Sequence, residues 1–216
     1  MQLAFLHTSA TLVPVFKELA DEHFAGKEVD IFNLADDSLI QNTIRRGKLT
    51  PDTARRVIAH IRSLEEAGAE RILVTCSSIG PAVEMAAMLV EVPVHRVDRP
   101  MAEKAVAEAA RIGVAATLPT TLEPTTDLIR RVAAETGKDI TLATECCEGA
   151  FDALMSGDAA THDTRVKEAL RRLAQESDII VLAQASMARV AEQLADSPVP
   201  ILASPALAMR FLAGQI

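Results

Sequence analysis

The sequence predicts an α/β protein made of two pseudo-symmetric domains, each a four-stranded parallel sheet flanked by helices, with the functional site in the interdomain cleft. Short apolar runs alternate with longer stretches at helical spacing, as in the βα units of parallel sheets. The same order of motifs occurs in both halves of the chain. With 216 residues, of which 49% are hydrophobic, the chain can bury a core in each half.

Strands are predicted where β-branched and aliphatic residues cluster between turn residues. In chain order they are Leu3–His7, Val29–Phe32, Arg71–Thr75, Val94–Val97, Ile112–Ala116, Ile140–Ala143, Asp178–Leu182 and Ile201–Ala203. Apolar residues at helical spacing predict helices over 11–24, 51–67, 80–90, 100–110, 121–136, 161–176, 187–195 and 205–213. Thr50-Pro51 is a favourable helix start, and Gly68 and Gly137 lie where helices should end.

The two halves of the chain match each other segment by segment. The matched pairs are 4–8 with 113–117, 11–14 with 121–124, 72–74 with 179–181, and 92–94 with 199–201. An ordered series of this kind indicates duplication of one domain. The predicted domains are residues 1–98, completed by the C-terminal helix 204–216, and residues 99–203.

Composition excludes several classes of function. A net charge of −8 without a basic stripe argues against a nucleic-acid partner, and the absence of Trp and Tyr removes the usual stacking platform. No apolar run approaches the ~18 residues of a membrane span. The odd count of three cysteines, without a secretory leader, predicts a reduced, cytoplasmic protein.

Small polar residues follow the predicted strands, where ligands of parallel α/β sheets bind. They are His7, Thr8 and Ser9 after the first strand, Cys76, Ser77 and Ser78 after the third, Thr117, Thr120 and Thr121 after the fifth, and Gln184, Ala185 and Ser186 after the seventh. Together they form the predicted substrate-binding set.

Cys76 is the sharpest catalytic candidate in this set. It ends a buried strand and precedes Ser77-Ser78-Ile79-Gly80-Pro81, which opens a helix. Unpaired N–H groups and the positive end of a helix favour a thiolate, so we expect the pKa of Cys76 to lie below the free value of about 8.5. The same N–H groups could hold a carboxylate or an enolate oxygen. The plain alternative is a buried structural cysteine.

The segment Val74–Pro81 resembles the first cysteine motif of the aspartate/glutamate/hydantoin racemase superfamily. Residues 180–188 resemble the second motif, and Thr117 and Thr121 match the threonines that open the second half of that family. The resemblance covers essentially the whole chain. It implies a cofactor-independent, metal-free enzyme that acts on a small carboxylate and forms homo-oligomers. In the family, one thiol removes a proton from a carbon acid and a second thiol returns it on the opposite face.

The chain departs from the family at one decisive position. Where the second motif carries its cysteine, this sequence has Gln184, and an amide does not titrate usefully. A symmetric two-thiol racemase is therefore not available here. Arylmalonate decarboxylases are similar to this family and use a single cysteine, although theirs is the one in the second motif.

The prediction is a racemase or isomerase in which Cys76 transfers a proton at a carbon next to a carboxylate or carbonyl, with His7 or another group replacing the missing thiol. One alternative is a single-cysteine decarboxylase of a malonate-type acid, and another is a protein that binds a small acid without turning it over. Asp98-Arg99 could face a substrate, but a surface ion pair is the simpler interpretation. Thr161-His162-Asp163 is interpreted as a helix cap, and ordinary packing is favoured over a metal site at Cys146-Cys147.

Overall fold

A computed structural model describes residues 1–194 and 197–216. The chain forms two compact units. Unit 1 contains Met1–Asp98 and Pro205–Ile216, and unit 2 contains Arg99–Ser204. The last residue of the predicted helix 187–195 lies outside the described residues.

Unit 1 is a parallel sheet with strand order β2-β1-β3-β4. Its elements are β1 (Gln2–His7), α1 (Leu12–His23), β2 (Asp30–Ala35), α2 (Asp37–Arg46), α3 (Pro51–Glu66), β3 (Arg71–Val74), a 3₁₀ turn at Ser77–Ile79, α4 (Gly80–Ala87), β4 (Val94–Arg96) and the C-terminal α10 (Ser204–Ala213). All strand pairs in this unit are parallel, because every crossover contains at least one helix.

Unit 2 repeats this plan, with strand order β6-β5-β7-β8. Its elements are α5 (Arg99–Glu108), β5 (Arg111–Ala116), α6 (Pro119–Thr136), β6 (Thr141–Cys146), α7 (Ala150–Met155), α8 (Ala159–Leu173), β7 (Ile179–Leu182), a 3₁₀ turn at Ala185–Met187, α9 (Ala188–Glu192) and β8 (Ile201–Ala203). The predicted fold class, two four-stranded parallel sheets flanked by helices, is confirmed.

The strand register corrects one of the sequence matches between the halves. Leu6 of β1 lies opposite Val74 of β3, and the equivalent Ala115 of β5 lies opposite Leu182 of β7. Val74 therefore corresponds to Leu182, one residue beyond the Val181 that the sequence comparison had chosen. A run of aliphatic residues reads the same when shifted by one, so only the ladder of backbone hydrogen bonds fixes its register.

The sheet of unit 1 is covered on both faces by apolar clusters. Leu3 and Phe5 point to one side and pack with Phe16 and the α10 residues Met209 and Leu212. The alternate residues of β1, Ala4 and Leu6, pack with α3 and α4 on the other side. This alternation follows from the two-residue period of a strand.

Two short helices and the ends of two strands were missed by the sequence prediction. Helix α2 begins after Asp36, whose carboxylate accepts a hydrogen bond from the N–H of Ser38, and α7 follows Gly149. Strands β2 and β6 run three residues further than predicted, to Ala35 and Cys146. Both lie at an edge of their sheet and alternate exposed with partly buried residues, so their apolar signal is weak.

Candidate active site

The carboxyl edge of the unit 1 sheet brings Thr8 and Cys76 together. Thr8 follows β1 and Cys76 follows the neighbouring β3, and the N–H of Thr75 donates to the carbonyl of Leu6 at 3.0 Å. The sulfur of Cys76 accepts hydrogen bonds from the hydroxyl of Thr8 and from the backbone N–H groups of Ser78 and Ile79. The 3₁₀ turn after Cys76 aims these two N–H groups back at the thiol. This arrangement can stabilise a negative charge on sulfur.

Burial decides the protonation state of Cys76 at rest. It raises the pKa of the thiol above its ordinary value, and it outweighs the hydrogen bonds from Thr8, Ser78 and Ile79, which lower that pKa. The expected pKa below the free value is therefore wrong for this structure. Cys76 is a protonated thiol at neutral pH. The hydrogen-bond donors around its sulfur would stabilise the thiolate once it forms.

His7 lies behind this site with protein partners on both ring nitrogens. Its Nδ1 is 2.9 Å from Oγ1 of Thr75, and its Nε2 is 2.9 Å from Oδ1 of Asn33. The residue is fully buried. Burial lowers the pKa of His7, with the Asn33 hydrogen bond opposing, so the ring is neutral at pH 7. These contacts fit an imidazole that orients Thr75, and the predicted contact between His7 and a substrate stays a prediction.

The serines near Cys76 differ in their access to solvent. Ser77 and Ser78 are buried in the 3₁₀ turn, and Ser9 is partly exposed, with its hydroxyl 2.8 Å from that of Thr11. Ser78 contributes both its N–H and its hydroxyl to the sulfur of Cys76. Of the three, Ser78 is the one that the structure places in contact with the thiol.

A buried ion pair supports the helix that follows Cys76, and the sequence analysis missed it. Arg96 donates from Nε and Nη2 to Asp98 at 2.9 and 2.7 Å, and from Nη1 to Glu84 at 2.8 Å. The guanidinium lies directly under Gly80, where a Cβ would come within 2.3 Å of it. Arg96 and Asp98 are 5% and 0% exposed, so this is a fixed internal contact.

Asp98 and Arg99 do not form the ion pair with each other that the sequence suggested. Asp98 is committed to Arg96, whereas Arg99 binds Glu103 at 2.7 Å and Glu135 at 2.5 Å. Arg99 is therefore held by two carboxylates of its own unit.

The carboxyl edge of unit 2 brings Thr117 and Gln184 together. Thr117 follows β5 and Gln184 follows the neighbouring β7. Oε1 of Gln184 accepts from the backbone N–H of Thr117 at 2.5 Å and from its hydroxyl at 3.0 Å. Thr117 is buried and Gln184 is partly exposed. This pair occupies the same place in unit 2 as Thr8 and Cys76 occupy in unit 1.

The remaining predicted residues of unit 2 surround this pair in sequence. Thr120 and Thr121 are buried in the first turn of α6, and Ala185 and Ser186 are partly exposed in the 3₁₀ turn after Gln184. Among the described residues, Oγ1 of Thr120 is a buried hydroxyl oxygen without a hydrogen-bond partner. A buried polar atom of this kind is costly unless a water or ligand completes it.

The other two cysteines and His162 belong to unit 2 and have local surroundings of their own. Burial, with the nearby charges of Cys146 and Glu145, raises the pKa of Cys147 to about 12, so its thiol stays protonated. His162 is buried, with Nδ1 2.8 Å from Asp163, and the cap of α8 is Asp158, which accepts from the N–H of Thr161. Within the described ranges, no group of three or more His, Cys, Asp or Glu side chains could hold a metal ion.

A family model for the Asp/Glu/hydantoin racemases matches residues 6–212 of the chain. The chain belongs to this racemase family. The family predicted from the two cysteine motifs is confirmed. No curated protein sequence matches the chain significantly.

Solved structures of racemases share the fold of this family member. The glutamate racemase of Francisella tularensis, in complex with D-glutamate, matches with a TM-score of 0.77 and 14% identity over 99% of this chain and 80% of that one. The glutamate racemase of Aquifex pyrophilus gives 0.69 and 20%, over 100% and 84%. The allantoin racemase of Klebsiella pneumoniae gives 0.68 and 18%, over 100% and 86%. At these identities the likeness is one of fold.

None of the described helices combines the length and the apolar character that crossing a membrane requires.

Proposed function

We propose that this protein is a cofactor-independent racemase or isomerase of a small carboxylic acid, and that Cys76 moves the proton. One observation carries the proposal: the sulfur of Cys76 is the acceptor of four groups, the hydroxyls of Thr8 and Ser78 and the N–H groups of Ser78 and Ile79. A cysteine that serves only packing has no need of such donors. They lower the free energy of the thiolate, which is the state that a proton-transferring cysteine must reach.

The proposed step is a reversible proton transfer at the carbon next to a carboxylate or carbonyl. In one direction, the thiolate of Cys76 takes the proton, and the electrons of the C–H bond move to the carbonyl oxygen to form an enolate or enediolate. In the other direction, the thiol returns its proton to that carbon and the carbonyl is restored. A thiol that is protonated at rest begins as the proton donor. The surrounding hydrogen-bond donors lower the free energy of the thiolate, which is needed when Cys76 removes a proton.

Single-face protonation is a second candidate, as in a decarboxylase of a malonate-type acid. It is favoured by the amide of Gln184, which stands where the family has its second thiol and cannot exchange a proton. In this version Cys76 protonates the enediolate that carbon dioxide leaves behind. A small-acid-binding protein without turnover is the remaining alternative, and it requires no role for the donors around Cys76.

The proposal includes a substrate class and a setting. A chain without Trp or Tyr favours a small polar acid over an aryl acid. Its three cysteines are free, in keeping with a reducing cytoplasm, and family resemblance supports a homo-oligomer.

Solvent exchange in D2O tests the role of Cys76. Amino acids, hydantoins, 2-hydroxy acids and substituted malonates are incubated with wild type, Cys76→Ala and Cys146→Ala, and deuterium at the reacting carbon is measured by NMR. We expect incorporation with wild type and with the control Cys146→Ala, and a loss of at least about 100-fold with Cys76→Ala, the usual contribution of a general acid–base group. Inverted product indicates a racemase, and one retained enantiomer indicates single-face chemistry. Exchange that survives in Cys76→Ala would refute the proposal.

A further inference from the structure

Gln184 has the same backbone environment in unit 2 as Cys76 has in unit 1. The N–H of Thr75, just before Cys76, donates to β1 at 3.0 Å, and the N–H of Ala183, just before Gln184, donates to β5 at 2.9 Å. Both residues are extended, with φ of −136° and −128°, and each is followed by a 3₁₀ turn. The fold therefore offers one pseudo-symmetric position twice, filled by a thiol in unit 1 and by an amide in unit 2.

The orientation of the Gln184 amide is fixed by its partner. A backbone N–H can only donate, so the atom 2.5 Å from the N–H of Thr117 must be the amide oxygen. The hydroxyl of Thr117 also donates to this oxygen, at 3.0 Å. Both lone-pair sites of Oε1 are therefore occupied, and a flipped amide would set two donors against each other.

The amide nitrogen of Gln184 is left as a pair of free donors. Within the described part of the chain it makes no hydrogen bond, and it is not among the buried polar atoms that lack a partner. Because the residue is partly exposed, Nε2 reaches solvent at the carboxyl edge of the sheet. The position can donate two hydrogen bonds and accept none, which suits a carboxylate or an enolate oxygen.

We infer that Gln184, held by the main chain of Thr117, is a binding residue for an anionic oxygen of the ligand. The inference deepens the proposed function and rests on it for the expectation that the ligand is a small carboxylate. It assigns Gln184 to substrate specificity and gives it no part in proton transfer.

Titration with malonate, followed by NMR of the Gln184 side-chain amide, tests the inference directly. We expect the two Nε2 proton resonances to shift on addition of malonate and to remain in place with malonamide, its uncharged analogue. The resonances are assigned by their absence in Gln184→Glu. Amide protons that do not respond to malonate would overturn the inference.

Calorimetric titration of variants tests whether malonate binding depends on the Nε2 donors of the Gln184 amide. Gln184→Glu keeps an oxygen for the N–H of Thr117 and replaces the donors by an acceptor, so malonate binding should weaken at least about tenfold, the effect of losing one hydrogen bond to a charged group. Gln175→Glu is the matched control: it makes the same change at an exposed residue in the turn after α8 and should alter binding by less than about threefold. Equal affinity of wild type and Gln184→Glu would contradict the inference, provided that their melting temperatures agree.

The variant Cys76→Ala keeps this test independent of the proposed function. If Cys76→Ala binds malonate like wild type but shows no deuterium exchange, and Gln184→Glu loses binding, both statements hold. If wild type itself shows no exchange while Gln184→Glu loses binding, the proposed function fails and the binding role stands. If exchange depends on Cys76 but Gln184→Glu binds normally, only the inference about Gln184 fails.

Discussion

A threonine at the end of the first strand of each unit sets the chemistry of the residue beside it. In unit 1 the hydroxyl of Thr8 donates to the sulfur of Cys76 and favours its thiolate. In unit 2 the hydroxyl and N–H of Thr117 donate to the oxygen of Gln184 and leave its nitrogen free. The same kind of donor thus contacts the proposed proton carrier in one unit and the inferred anion-binding residue in the other.

The protonated resting state of Cys76 predicts slow alkylation at neutral pH. Burial raises its pKa, so we expect iodoacetamide to react at pH 7 more slowly than with a free thiol of pKa about 8.5, and the rate to rise with pH beyond that value. Thr8→Val removes a donor to the sulfur and should move the profile to higher pH. Mass spectrometry of the Cys76 peptide measures the rate.

The matched control for this profile is Ser9→Ala, whose hydroxyl contacts Thr11 and should leave the profile unchanged. A half-maximal rate below pH 8 would contradict the prediction.

The position of Cys76 could be predicted from sequence, whereas its titration could not. A cysteine between an aliphatic run and Ser-Ser-Ile-Gly-Pro marks a strand end, and strand ends hold ligands in this class of fold. Its pKa depends on the balance between burial and donors from a distant strand, which only the folded chain defines. For the same reason, the sequence did not reveal Asn33 and Thr75 as the partners of His7.

Helix α4 and strand β4 meet through a glycine and a guanidinium. Gly80 begins α4, and the plane of Arg96 fills the space that a side chain at position 80 would need. Asp98 fixes that plane with two hydrogen bonds. This contact fixes the start of α4, and it therefore also fixes the preceding 3₁₀ turn, whose N–H groups face Cys76.

Gly80→Ala should destabilise the protein by about 1–3 kcal/mol, the usual cost of overpacking a tight contact. The new Cβ would lie 2.3 Å from Cζ of Arg96, which two carboxylates hold in place. Urea unfolding measures the loss. Gly214→Ala is the control, because a Cβ there meets nothing closer than 3.4 Å. Equal stability of both variants would mean that Arg96 moves freely.

The elements that the sequence predicted well are the buried ones. All four central strands, β1, β3, β5 and β7, lie between two neighbours and carry nearly continuous apolar runs. Helix α2 has no such signal because only two of its residues, Leu39 and Thr43, are buried.

At the scale of the molecule, the helix that follows the last strand of each unit belongs to the other unit: α5 follows β4 but lies in unit 2, and α10 follows β8 but lies in unit 1. Helix α10 follows β8 of unit 2 yet packs in unit 1, where Met209 and Leu212 join Phe5 and Phe16. Its Phe211 also meets the ring of His95 on β4, with ring centres 5.4 Å apart. The last strand-to-helix connection therefore ties the end of the chain to its beginning.

His95 makes the stability of the protein dependent on pH. Burial, and secondarily the charge of Arg71, lowers its pKa from 6.5 to about 4. Between pH 6.5 and 4, His95 is therefore protonated in the unfolded chain and neutral in the folded chain. Because the unfolded state binds more protons, the free energy of unfolding falls as pH drops over this range. This loss of stability is absent above pH 6.5 and reaches its full size below about pH 4.

Urea titrations at several pH values check this dependence. His95→Gln should flatten the profile over this range, and Arg71→Gln should flatten it in part, because the nearby charge is one of the two causes. A wild-type profile that does not fall between pH 6.5 and 4 would contradict the assignment.

The donor that orients Gln184 belongs to the main chain, so laboratory evolution cannot easily remove it. Every residue at position 117 except proline brings its own N–H to the same place at the end of β5. Libraries at this position should therefore change the size and polarity of the surroundings while the amide of Gln184 keeps its direction. Conversion of this edge from the inferred anion receptor to a proton carrier would have to occur at position 184 itself, where the backbone already has the conformation that Cys76 has in unit 1.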